Sequence, residues 1–139
     1  SDVCSSDLSN VPSLLAAPYL GYGSCADDIY LNTRKTVLSP ENPYYYEGKY
    51  LKGIGSPHTP EQYVWPIGLS LQGLTTHDKT EKEALLNLLC EVDARTLQMH
   101  EGVCVNDPSK FTREWFSWSN IMFCELLMDY YDIRIRELR

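Results

Sequence analysis

The sequence has no basic tract, no paired cysteine motif and no long uninterrupted apolar run. Its twelve Lys and Arg residues are scattered among nineteen Asp and Glu, giving a net charge of −7 over 139 residues. No face therefore offers itself to a phosphate backbone, and nucleic acid is not an expected partner. The five cysteines, at positions 4, 25, 90, 104 and 124, form no CxxC pair, and their odd number leaves at least one unpaired. They read as reduced, mostly buried thiols, and no zinc site has usable ligand spacing. The most apolar stretch, "WFSWSNIMFCELLMDYY" (115–131), is interrupted by Asn120, Glu125 and Asp129. That makes it short and costly for a bilayer, so it reads as a buried helix and no membrane partner is expected. Neither GxSxG nor the Walker residues occur, which removes support for serine-nucleophile chemistry and nucleotide phosphate binding. There is no initiator Met and no leader from which a signal peptide could be read.

What is present is a composition that can build a core: 43% hydrophobic and 22% charged, as in one soluble globular domain. Residues 1–8, "SDVCSSDL", lack both a hydrophobic period and a cap. They resemble the translation of a sequencing-library adapter, so a foreign leader is expected there and a single domain over 9–139. From Ser9 the pattern is mostly helical. "SNVPSLLAAPYLG" predicts a short helix stopped by Pro18 and Gly21. "CADDIYLNTRKTVLSPENP" predicts a helix capped by Asp27 or Asp28, with Ile29, Thr33 and Val37 recurring every fourth residue. "HTPEQYVWPIGLSLQGL" predicts one capped by Thr59, with Val64, Ile67, Leu71 and Leu74 on a face and Pro66 tolerated or kinking. "KTEKEALLNLLCEVDA" carries the capping box Thr80 to Glu83 and an apolar stripe of Leu85, Leu88, Leu89 and Val92. The last helix, from about Arg113 to Tyr131, is apolar nearly all round and should be covered on several sides. Only "YYYEGKYLKGIGSP" looks strand-like, as a hairpin or ordered loop. Amphipathic helices alternating with more buried ones give an all-α fold, suited to a toroid with an inner and an outer ring.

Residues that could carry chemistry collect in "QMHEGVCVNDPSKFTREWFSWSN" (98–120). Glu101 sits before a glycine suited to a bend, whereas Glu114 begins the last helix, where the macrodipole favours its charge. Trp115 and Trp118 could pack in the core. They could equally offer flat faces with polar edges, which suit a sugar ring whose axial C–H groups stack while its hydroxyls hydrogen-bond. His58 precedes a helix start, where an imidazole and backbone amides can meet an oxygen-rich ligand, or where it makes a structural hydrogen bond. His100-Glu101 lacks the second histidine of a zincin.

The run "NVPSLL…PYLGY…ENPYYYEGKYLKGIGSPHTPEQYVWPI…MHEG…FTREWFSW" resembles the C-terminal part of glycoside hydrolase family 125, bacterial and fungal exo-α-mannosidases acting on α-1,6-linked substrates. The resemblance implies an (α/α)6 barrel, an inverting mechanism, no catalytic metal, no cofactor, an α-mannoside or N-glycan substrate and a cytoplasmic setting. An inverting glycosidase needs an acid to protonate the leaving oxygen and a base to deprotonate water, set ~6.5–9.5 Å apart. The family's acid is an aspartate upstream of the matched blocks. Glu101 and Glu114 compete as base. Glu101 is chosen, because a loop glutamate followed by the "REWFSW" helix start resembles the layout of inverting glucoamylases. Asn10, His58, Trp65, Arg113, Glu114, Trp115 and Trp118 are the expected substrate-binding residues. These residues alone are expected to be inactive and to expose apolar surface. The alternative reading is a helical module that binds carbohydrate or protein without catalysis.

Overall fold

Pro66 and Gly55 decide where strand gives way to helix. The structure, a computed structural model, describes residues 9–134; the expected foreign leader lies outside them. A 3-10 turn (Leu14–Ala16) is followed by α1 (Asp28–Val37), β1 (Tyr45–Glu47), β2 (Lys52–Ile54), β3 (Tyr63–Val64) and α2 (Pro66–Leu74). Then come α3 (Lys79–Glu91), β4 (Gly102–Cys104), β5 (Asp107–Thr112) and α4 (Ser117–Tyr130).

The all-α expectation is overturned: four helices accompany two antiparallel sheets, a β1–β2 hairpin and a three-stranded sheet in the order β3-β4-β5. The hairpin is the strand-like stretch anticipated from the sequence, with Tyr45 opposite Ile54 and Glu47 opposite Lys52. The second sheet was not anticipated. β3 falls where a helix was expected to start at Thr59, because Trp65 takes an extended backbone (φ −92°, ψ 123°) before Pro66, as a residue preceding proline prefers. Pro66 thus does not kink a helix; it opens one, at the position where its missing N–H costs nothing.

Gly55 joins the two sheets. A Cβ there would lie 2.2 Å from the Tyr63 carbonyl oxygen and within 3 Å of the Tyr46 ring, so only glycine admits this approach. Val11 N–H donates to Gly55 O and Trp65 N–H to Ile54 O, which anchors the N-terminal segment and the start of α2 to the hairpin.

The helix covered on most sides is α2, not the last one. Pro66, Ile67, Gly68, Leu69, Ser70, Leu71 and Gly73 are buried, and α2 divides the core in two. Leu69 packs with Val64, Leu85, Leu89, Val103 and Leu126, while Ile67 and Leu71 pack with Val11, Leu15, Val37, Ile54 and Met122. By contrast α4 buries only Ser119, Met122 and Leu126, a narrow stripe turned to α2. Phe123 and Tyr130 pack part-buried against the core, whereas Trp118, Ile121 and Leu127 face outward.

One cap and one apolar face also differ from expectation. Asp78 rather than Thr80 caps α3, its Oδ1 accepting from Thr80 N and Glu81 N, because the helix begins one residue before Thr80. In α1 the four-residue recurrence misleads: Tyr30 and Val37 are buried, whereas Ile29 is 83% exposed.

Candidate functional site

Glu101 stands at the N-terminal edge of β4, and the second sheet is what places it. Its amide donates to Thr112 O on β5. The next residue, Gly102, pairs with Thr112 and lies so close to neighbours that a Cβ would meet Thr112 Oγ1 and Thr59 Cγ2 at 3.2 Å and Trp65 Cδ1 at 3.4 Å. This crowding holds the backbone of the base candidate against β5 and the β3–α2 junction.

The Glu101 side chain is 14% exposed, and its Oε1 lies 3.2 Å from Nε of the exposed Arg113. The pair is thus an enclosed carboxylate covered by a cation from the solvent side. Arg113 has a left-handed backbone (φ 46°), which a non-glycine residue adopts only where the surroundings impose it. Its guanidinium also lies 5.8 Å from the centre of the Phe116 ring, within range of a cation–π contact.

Aromatic side chains continue from there. Phe116 meets Trp65 edge-on at 6.1 Å and Trp118 at 6.2 Å. Trp65 is buried, and its indole Nε1 donates to Thr59 Oγ1 at 2.9 Å, so it forms the floor of the group. Trp118 is 43% exposed and Trp115 71%, which leaves both with faces open to a ligand.

The structure therefore brings Glu101, Arg113, Trp65 and Trp118 into one connected group, with Trp115 beside it in sequence. Glu114 is exposed, and the part of it engaged with the fold is its backbone oxygen, which accepts from His100. His58 is exposed in the turn before β3, its amide donating to Ser56 Oγ. Asn10 is buried next to Val11, on the strap bound to Gly55. His58 makes no described contact with the Glu101 group.

Sequence reasoning missed Thr59, Thr112, Phe116 and His100. Thr59 read as a helix cap, and only a predicted β-pairing would have brought it and Thr112 to Gly102. His100 left a signal in being directly beside the chosen glutamate. Chemically, the group offers an enclosed carboxylate able to take a proton, a cation beside it and aromatic faces around it. Among the described residues no three His, Cys, Asp or Glu side chains converge as metal ligands would, and no helix is long and apolar enough to cross a membrane.

Comparison with known proteins identifies the family. Residues 2–128 match the family described as metal-independent alpha-mannosidase (GH125). The meiotically up-regulated gene 157 protein of Schizosaccharomyces pombe is 49% identical over 124 residues, which is 88% of this chain and 24% of that protein. A solved Streptococcus pneumoniae structure, described as a metal-independent alpha mannosidase in a non-productive substrate complex with alpha-1,6-mannobiose, is 60% identical with a TM-score of 0.88. It matches 91% of this chain and 30% of its own, so this chain spans about a quarter to a third of the relatives it matches.

Proposed function

Because this chain belongs to the metal-independent α-mannosidases of glycoside hydrolase family 125, we propose that the full-length protein removes terminal α-1,6-linked mannose from mannosides or N-glycans with inversion, Glu101 acting as general base. The observation that carries this reading is the Glu101 carboxylate, 14% exposed and paired with Arg113 at the edge of an aromatic group. A carboxylate that is enclosed, paired with a cation and fixed through its backbone can accept a proton from water without first reorganising.

In this mechanism Glu101 takes the proton of a water molecule as its oxygen forms a bond to the anomeric carbon. The bond to the leaving oxygen breaks on the opposite face, where an upstream aspartic acid supplies a proton. Arg113 compensates the carboxylate charge before the proton arrives and is released toward sugar hydroxyls as that charge is neutralised. The open faces of Trp115 and Trp118 stack on the C–H side of the pyranose. The S. pneumoniae relative, bound to α-1,6-mannobiose, supports the linkage.

The test is the anomer formed first. Proton NMR of the full-length protein turning over an α-1,6-mannobioside should show β-mannose ahead of mutarotation. α-Mannose formed first would refute inversion, and no hydrolysis would refute the enzymatic reading.

A further inference from the structure

His100, adjacent to Glu101, is 1% exposed and has no role in the reaction proposed above. Its ring lies flat on Phe111, with centroids 3.8 Å apart and planes 6° from parallel. Each ring nitrogen faces a backbone carbonyl: Nδ1 is 2.7 Å from Glu114 O, and Nε2 is 3.2 Å from Asp93 O. A carbonyl only accepts, so the shorter contact assigns the N–H to Nδ1, donating to Glu114.

The two carbonyls belong to loops that both carry left-handed non-glycine residues, Ala94, Arg95 and Leu97 in one and Arg113 in the other. Such conformations persist only where packing and hydrogen bonds over-determine them. The histidine's own backbone is equally tied down. Ser119 Oγ donates to His100 O at 2.7 Å, Met99 N–H donates to Asn120 Oδ1, and Phe116 N–H donates to Met99 O.

We propose that His100 is a positioning residue for the base. Held by its stack on Phe111, its Nδ1–H fixes the Glu114 carbonyl and with it the left-handed Arg113, whose Nε reaches Glu101. The ring itself is too buried to meet substrate and makes no described contact with the Glu101 carboxylate, so it acts through the Arg113–Glu114 segment. The inference rests on Glu101 being the base.

Steady-state kinetics of the full-length protein on α-1,6-mannobiose test it. In His100→Asn the side-chain amide nitrogen takes the place of Nδ1 and should keep most of kcat. His100→Gln places its nitrogen where Nε2 was, and His100→Phe keeps only the stack. Both should lose kcat by roughly ten- to a hundredfold, as a displaced catalytic geometry does, with KM nearly unchanged. Combined with Arg113→Ala, His100→Phe should add no further loss, because two residues acting through one contact are not additive. Equal losses in the Asn and Gln variants, losses that follow Tm alone, or multiplying losses with Arg113→Ala would overturn the inference. Full turnover by Glu101→Gln would overturn the base reading. Loss in that variant beside unaffected His100→Gln and His100→Phe overturns the positioning role alone.

Discussion

The Arg113 guanidinium lies 3.2 Å from the Glu101 carboxylate although the two residues are twelve apart in sequence, because β4 and β5 pair so that Gly102 faces Thr112. The ion pair is therefore a product of sheet register. A one-residue slip would carry Arg113 to the opposite face. Arg113 thus gains a place over the carboxylate that no helix spacing would have given it.

The start of α3 gives a simple stability test. Asp78 Oδ1 accepts from two amides of the first turn, whereas Thr80 lies inside the helix. Asp78→Ala should cost about 1 kcal/mol, the usual worth of an N-cap, and Thr80→Ala much less. Chemical denaturation of the two variants beside the parent checks this; the reverse order would restore the Thr80–Glu83 box.

Tyr19 gives a pH dependence. Its hydroxyl donates to Glu125 Oε2 at 2.5 Å, and this bond, with burial and the carboxylate charge, pushes the phenol from 10.0 up to about 12. The fold favours the protonated phenol, so the stabilisation is complete below pH 10 and is lost as pH rises through about 12. Tyr19→Phe should be less stable than the parent below pH 10, and the difference should shrink across that window. A difference that stays constant from neutral to strongly alkaline pH would show that the bond makes no linked contribution.

Exposed apolar side chains predict association. Ile29, Leu97 (84% exposed), Tyr22, Trp115 and Ile121 all face outward, and exposed apolar side chains of this size favour association. Expressed alone, residues 9–139 should self-associate in sedimentation experiments, and Ile29→Glu with Leu97→Asn should raise the monomer fraction. A monomer that melts cooperatively without these changes would contradict this.

The helices that became α2 and α3 were legible in the sequence because their apolar residues recur at three and four and their starts carry Pro66 or the acidic Asp78. Leu85 and Leu89 fulfil that pattern in the core. The sheet around Glu101 was not legible. β4 is three residues long and its pairing shifts between Val103 and Cys104, while β5 is an edge strand containing Pro108. Such a strand need not alternate, and proline at an edge disguises it as loop. Glu101 and Arg113 could therefore be chosen from the family resemblance and their chemistry, but the contact between them could not be read. Trp65 stood among the sugar contacts because it lies in a matched block and its chemistry suits a sugar, and its indole instead donates to Thr59 within the fold.

The most direct test is to replace Glu101 and Glu114 separately by glutamine in the full-length protein and measure both turnover and mannoside binding. The account predicts that Glu101→Gln loses kcat by about a hundredfold or more, as removal of a general base does, while binding is retained and Glu114→Gln keeps most of its activity. Parent-like turnover by Glu101→Gln, or loss confined to Glu114→Gln, would contradict it.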